Sequence, residues 1–180
     1  MGRDTKMALT GLGMSPELAS ILGHDQEEIV SIPAFTGAQG ATATVGWVVA
    51  DVGGVDKGLA TLAASATADT LVVPITGLNI GDTITAFKIT GQVESAGNTA
   101  TVDADLRKIT PAAAGSADAS IGAITQISKT ADYLISDSKT LATEEVVASG
   151  ESFYLLVDAT TAASTDVELS SVEVTVTRGK

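Results

Sequence analysis

Few side chains in this chain of 180 residues could carry out chemistry, and their spacing narrows what that chemistry could be. His24 is the sole histidine and there is no cysteine. A histidine-based nucleophile relay, a multi-histidine metal site and thiolate chemistry are therefore excluded within one chain. His24 follows a short helical pattern, where a polar or cationic end residue needs no further role. Gly53 and Gly54 followed by Lys57 lack the spacing of a phosphate-cradling loop. Carboxylates are more plentiful. Asp103 and Asp105 lie two apart on one expected strand face, a spacing that could hold a hard cation or flank a glycosidic bond. They share that face with Thr101 and Arg107, and read better as part of a solvated surface. Glu144 and Glu145 are adjacent, so a strand would point them to opposite faces. Asp158 and Asp166 flank one turn and could meet at a bound Ca²⁺, although Asp in a turn ordinarily bonds the backbone. The expectation is a protein that is not an enzyme, with no catalytic residue, no metal site and no cofactor.

The elements that would position these groups follow from composition and periodicity. Hydrophobic residues make up 44% of the chain, too many for general disorder. Aromatic residues are only 3%, so the core must be built from Ala, Val and Ile. So thin a core is expected to be completed by neighbouring subunits, in a homo-oligomer. A net charge of −12 repels a phosphate backbone and an anionic bilayer, which argues against nucleic-acid and membrane partners. No run approaches the roughly 18 apolar residues of a spanning helix. The first ten residues show no apolar leader, so a soluble protein made in a cytoplasm is expected.

Residues 83–106 organise the rest. Phe87, Ile89, Gly91 and Val93 alternate with Lys88, Thr90, Gln92 and Glu94; Ala100, Val102, Ala104 and Leu106 alternate with Thr101, Asp103, Asp105 and Arg107. A period of two places one set on each face of a strand. Ser95-Ala-Gly-Asn between them tolerates positive φ, which predicts an antiparallel hairpin turning at residues 95–98. Leu71, Val73 and Ile75 predict an inward face, with Pro74 outward or at an edge. Ile121, Ala123, Thr125 and Ile127 predict another alternating strand. Residues 153–157 are apolar almost throughout, which suggests a strand covered on both faces; Phe153, Tyr154, Leu155 and Leu156 are the expected oligomer interface. Val172, Val174 and Val176 are out of phase with Leu169, the mark of a bulge or a new strand. Trp47, the only tryptophan, is expected to anchor the core, the alternative being a surface or intersubunit ring.

Near the start, Ser15 is an N-cap, Pro16 suits the first helical position and Gly23 supplies a stop, giving one helix of barely two turns. Such a helix is unstable alone. Leu12, Met14, Leu18, Ile21 and Leu22 form its apolar stripe, which either packs on its own domain or plugs into a neighbour. Ile29 to Phe35 read as a short extended segment that Pro33 confines to an edge. The chain thus divides into an N-terminal attachment arm, residues 1–40, and a domain of about eight short strands, residues 41–180. Fold class is all-β: an antiparallel, jelly-roll-like β-sandwich with a short arm containing one small helix.

Several stretches together carry a resemblance: Leu71-Val-Val-Pro-Ile-Thr-Gly-Leu-Asn-Ile-Gly-Asp-Thr-Ile-Thr, Gly91-Gln-Val-Glu-Ser-Ala-Gly-Asn-Thr, Asp103-Ala-Asp-Leu-Arg-Lys, Ile121-Gly-Ala-Ile-Thr-Gln-Ile-Ser, Phe153-Tyr-Leu-Leu-Val and Thr160-Thr-Ala-Ala-Ser-Thr-Asp-Val. Over roughly residues 71–177 the set resembles jelly-roll virion proteins of tailed bacteriophages, of the head-decoration, head-spike or fibre type. Leu9-Thr-Gly-Leu-Gly-Met-Ser-Pro-Glu-Leu is similar to openings of phage structural proteins. The resemblance implies a non-enzymatic virion component, made in the host cytoplasm and often trimeric. Its N-terminal segment would attach to the major capsid protein or another virion protein. The alternative is a lectin-like module of a phage fibre that binds host-surface glycan through loops at one end of the sandwich.

Overall fold

Alternation of small apolar and polar residues drives this chain into strands, and the length of two of those strands decides how the sheets are arranged. The computed structural model describes residues 27–39, 46–48, 59–66 and 68–179. In chain order the strands are β1 (Glu27–Pro33), β2 (Ala38–Gln39), β3 (Trp47–Val48), β4 (Ala60–Leu62), β5 (Asp69–Ile75), β6 (Thr83–Thr110), β7 (Ala117–Val146), β8 (Ser152–Thr161) and β9 (Thr165–Thr177). A 3-10 turn, Ala34–Thr36, is the helical element among the described residues. The expected helix at residues 15–23 lies outside them.

β6 has 28 residues and would run roughly 90 Å if straight. It bends instead and serves two sheets. Residues 83–95 pair with β9 and residues 100–109 with β8, while β7 follows β6 along both halves. The first sheet is therefore β1, β9, the first half of β6 and the second half of β7, with β4 and β3 continuing beside β9. The second is β2, β5, β8, the second half of β6 and the first half of β7. All these pairings are antiparallel. Taking the halves of β6 and β7 as separate segments, and β1, β5, β8 and β9 as the others, the order is first-eighth-third-sixth in one sheet and second-seventh-fourth-fifth in the other. That double Greek key is a jelly roll.

The expected hairpin at residues 95–98 is therefore not formed. Gly97 does take a positive φ of 96°, but as the corner where β6 crosses between sheets. The corner is pinned by Ser95 Oγ donating to Asn98 O (2.6 Å), the Ser95 N–H to Asp132 Oδ1 (2.9 Å) and Asn98 Nδ2 to Ala163 O (2.7 Å). A hairpin turn and a corner need the same permissive residues; the β8–β9 hairpin alongside decides between them.

Facing strands contribute one core: Ile84, Phe87, Ile89 and Val93 from the first half of β6, Val102 and Leu106 from the second, with Leu71, Leu155, Val157, Leu169 and Val174. Trp47 is buried as expected. Its backbone N–H donates to Asp69 Oδ2 (3.0 Å) and its Nε1 to Asp69 O (3.3 Å). Leu71, Val73 and Ile75 point inward and Pro74 outward. In the first half of β7, which pairs only with β6 among the described residues, the inward residues are Ile124 and Ile127, while Ala123 and Thr125 are exposed. The predicted alternation fails there because the register with β6 shifts between Val102 and Ala104.

The phase slip in β9 is a bulge. Leu169 faces Gly91 and Ser171 faces Thr90, leaving Ser170 as the extra residue. A Cβ on Gly91 would run into the carbonyl oxygen of Glu168 and the Cα of Leu169, so the glycine makes the bulge possible. At the arm, β1 pairs with β9 from Glu27 to Pro33, and Ile32 and Ala34 are buried. β1 and β2, which lie within the expected arm of residues 1–40, thus pair with strands of the sandwich. Where β1 begins and β9 ends, the buried Asp82 gathers the chain. It accepts bonds from Arg178 Nη1 (2.6 Å), the Asn79 N–H (2.8 Å) and the Gly179 N–H (3.1 Å). Arg178 Nε also bonds Glu28 Oε2 at 2.7 Å.

Candidate functional site

The outer face of the second sheet gathers three of the carboxylates singled out in the sequence, Asp103, Asp105 and Asp158. Thr101, Asp103, Asp105 and Arg107 point outward between buried Val102, Ala104 and Leu106. Register sets Asp103 opposite Asp158, Asp105 opposite Leu156 and Arg107 opposite Tyr154. Arg107 organises the face. Its Nη1 meets Asp105 Oδ2 at 2.7 Å, and its Nε and Nη2 meet the Asp118 carboxylate at 3.1 and 3.2 Å. The Tyr154 hydroxyl donates to Asp118 Oδ2 at 2.8 Å. The bonds from Arg107 and then Tyr154 hold the Asp118 carboxyl below its usual range. Burial, and then the bond to Asp118, push the Tyr154 phenol up. Ser120 Oγ bonds Asp105, and Gln126 Nε2 donates to Asp103 Oδ2 at 2.9 Å.

Asp158 lies differently. Burial first, and then the charges of Asp103, Asp105 and Asp69, push its carboxyl above the usual range. Like charges directly opposite one another oppose sheet pairing. Asp158 and Asp166 do not converge: they project from opposite sheets, Asp158 across from Asp103 and Asp166 across from Glu94. Glu145 is drawn to Lys108 Nζ at 2.6 Å while Glu144 is exposed. Among the described residues no group of three or more His, Asp or Glu is arranged to hold a metal ion, and no helix is long and apolar enough to cross a membrane.

The expected interface residues separate. Phe153 and Leu155 are buried in the core, and only Tyr154 and Leu156 reach the outer face, half-buried. The run is apolar on both faces, yet the described residues fully cover only one. Outside, Tyr154 lies across from Pro74 and Leu156 across from Val72, forming an apolar strip beside the charged residues. Leu12, Met14, Leu18, Ile21, Leu22 and His24 lie outside the described residues.

The outer face of the first sheet holds a feature that the sequence reading did not single out. Where the Ser170 bulge meets Gly91, a depression of about 310 Å³ opens between β6, β7 and β9. A second, of about 260 Å³, adjoins it and shares Gln92 and Leu134. Gln92 Nε2 donates to Glu168 Oε2 (2.6 Å) and Glu94 Oε1 (3.0 Å). Thr90 Oγ1 lies 2.9 Å from Ser170 Oγ and 2.7 Å from Ser171 Oγ. Leu134 is 74% exposed at the shared wall. The signals were present as Gly91 within an alternating strand and the phase slip at Ser170. Each marks a bulge, and only the pairing of β6 with β9 brings them together.

No protein-family model and no curated protein sequence matches the chain. Among solved structures, a Podospora anserina GH26-CBM35 β-(1,4)-mannanase is similar with a TM-score of 0.40 and 13% identity, over 84% of this chain and 28% of the mannanase chain. The enzymatically active domain of bacteriophage CBA120 tailspike protein 4 gives 0.34 and 8%, over 82% of this chain and 19% of the tailspike chain. The infectious bursal disease virus Gt strain structure gives 0.35 and 14%, over 84% of this chain and 33% of that one. The chain thus spans a third or less of each, and at these TM-scores the likenesses carry no functional argument. The assignment of the sandwich rests on the strand pairing of this chain.

Proposed function

We propose that the chain is a non-enzymatic structural component of a virion, of the phage head-decoration or spike type. Residues 1–26 attach it to a capsid or other virion protein, and the sandwich is presented outward. The observation that carries the reading is the jelly roll itself, an architecture shared by viral capsid proteins, entered by an edge strand. β1 starts opposite the end of β9, so the preceding residues join the sandwich at one end, opposite the corner at Gly97 and the turn at residues 162–164. An attachment segment there leaves the far end and both outer faces clear. Leu12, Met14, Leu18, Ile21 and Leu22 supply the adhesive stripe, at about 1.5–3 kcal/mol for each such side chain fully buried. The engagement of Asp105 and Asp118 by Arg107 supports a structural role for those carboxylates.

Removing residues 1–26 while keeping β1 tests attachment. The truncated protein is expected to stay folded, with its melting temperature little changed, and to be missing from particles that incorporate the full chain. Leu18→Asp in the full chain is expected to give the same loss of incorporation. Incorporation of the truncated protein, or its unfolding, would overturn the assignment. In this reading the sandwich is also trimeric, using the strip of Val72, Pro74, Tyr154 and Leu156.

A further inference from the structure

The trough on the outer face of the first sheet is idle in the attachment reading, and we propose that it binds a neutral, polyhydroxylated ligand of the saccharide class. Its shape comes first. The two adjoining depressions share a wall at Gln92 and Leu134, and the larger, at about 310 Å³, is at the lower end of the size range of small-molecule sites. Together they run across β6 between β7 and β9.

The lining comes next. Gln92 directs its amide nitrogen to Glu168 and Glu94, which sets the amide plane and keeps its carbonyl oxygen as an acceptor. Asp132, on the rim, is held through Oδ1 by the Ser95 N–H. Thr90 and Ser170 contribute hydroxyls that both donate and accept. Such a wall is rich in acceptors and already oriented, and suits a ligand whose every polar group can donate. Leu134, 74% exposed, offers an aliphatic surface beside those acceptors. A sugar ring presents both matching surfaces, a hydroxyl edge and a C–H face.

Charge narrows the class. Glu94, Asp132 and Glu168 line the trough, no cationic side chain does so among the described residues, and the chain carries −12 overall. An anionic ligand would be repelled. A polyamine would be drawn to those carboxylates, but it has no hydroxyl edge to match the Gln92 carbonyl and the Thr90 and Ser170 hydroxyls, and it is therefore a separate arm of the test. The site differs in place from the end loops where a recognition surface is expected from sequence.

The purified full chain is enough for the test, so its outcome is separate from the question of virion attachment. Neutral gluco-, galacto- and manno-oligosaccharides are titrated to about 10 mM against the ¹⁵N-labelled protein, with a sialylated oligosaccharide and spermidine as separate arms. At least one neutral saccharide is expected to give saturable shifts centred on Gln92, Leu134, Ser136 and Glu168. Leu134→Ala and Gln92→Ala should each weaken binding by about 5-fold or more. Asp105→Asn, on the opposite sheet, should leave it unchanged. Leu134→Ala removes an exposed side chain and should move the melting temperature by less than about 2 °C, so it decides the matter even if Gln92→Ala misfolds. Absence of shifts with every neutral saccharide overturns the proposal. So do shifts confined to spermidine or the sialylated ligand, and shifts that survive Leu134→Ala.

Discussion

Asp82 is a buried carboxylate that accepts three hydrogen bonds, and replacing it with Asn tests how the two ends of the described chain are held together. The side chain is 2% exposed and accepts bonds from Arg178, the Asn79 N–H and the Gly179 N–H. An Asn keeps one acceptor and turns an NH₂ group toward donors that it cannot satisfy. Breaking a buried pair by removing one partner costs about 3–5 kcal/mol. Because the Arg178 side chain remains 27% exposed and can recruit water, about 3 kcal/mol is expected. For a domain of this size that corresponds to a fall in melting temperature of about 6–12 °C. The pH dependence adds a second readout. Burial alone would raise the Asp82 carboxyl, but the two backbone N–H bonds and Arg178 outweigh it and hold it below its ordinary value of 3.8. The stabilisation by ionised Asp82 is therefore complete above that value and is lost as pH falls through the depressed folded one. The gap between wild type and Asp82→Asn, measured by urea unfolding, should be widest at neutral pH and narrow in acid. A loss below about 1 kcal/mol at pH 7, or a gap that does not change with pH, would refute the reasoning.

Gly91→Ala should destabilise by about 3 kcal/mol in denaturant unfolding, because its Cβ meets the backbone of β9 and the bulge must open. Asp158→Asn should act in the opposite direction. Its raised carboxyl makes ionised Asp158 a cost that is full above the folded pKa and fades as pH falls from there toward the ordinary value of 3.8. The variant should therefore gain about 0.2–1 kcal/mol at pH 7, and that gain should fade in acid. Sedimentation at micromolar concentration should give a trimer, which Leu156→Asp dissociates without unfolding the sandwich; a monomeric wild type would sink the interface assignment.

How much of this could be read from the residues depends on the range of the interactions involved. Period-two alternation is a property of neighbours, so the inward faces of β5 and both halves of β6 were legible, as was the slip between Leu169 and Val172. The core role of Trp47 followed from its size. Residues 95–98 show where local reading stops. Gly97 permits a reversal or a corner alike, and strands some 60 residues onward decide which. Residues 153–157 show a second limit, because an apolar run does not reveal which face the chain will cover; pairing turned Phe153 and Leu155 in and Tyr154 and Leu156 out. The trough depends on the longest separation. Gly91 and Ser170 are 79 positions apart, and a bulge on one strand makes a depression only where its partner lacks a side chain. The residues alone determined that this is an all-β chain of alternating strands with an apolar segment near its start. Only the tertiary structure decided which strands bend and what lies across from what, because backbone pairing is nearly indifferent to residue type and register is settled by packing across the whole sandwich.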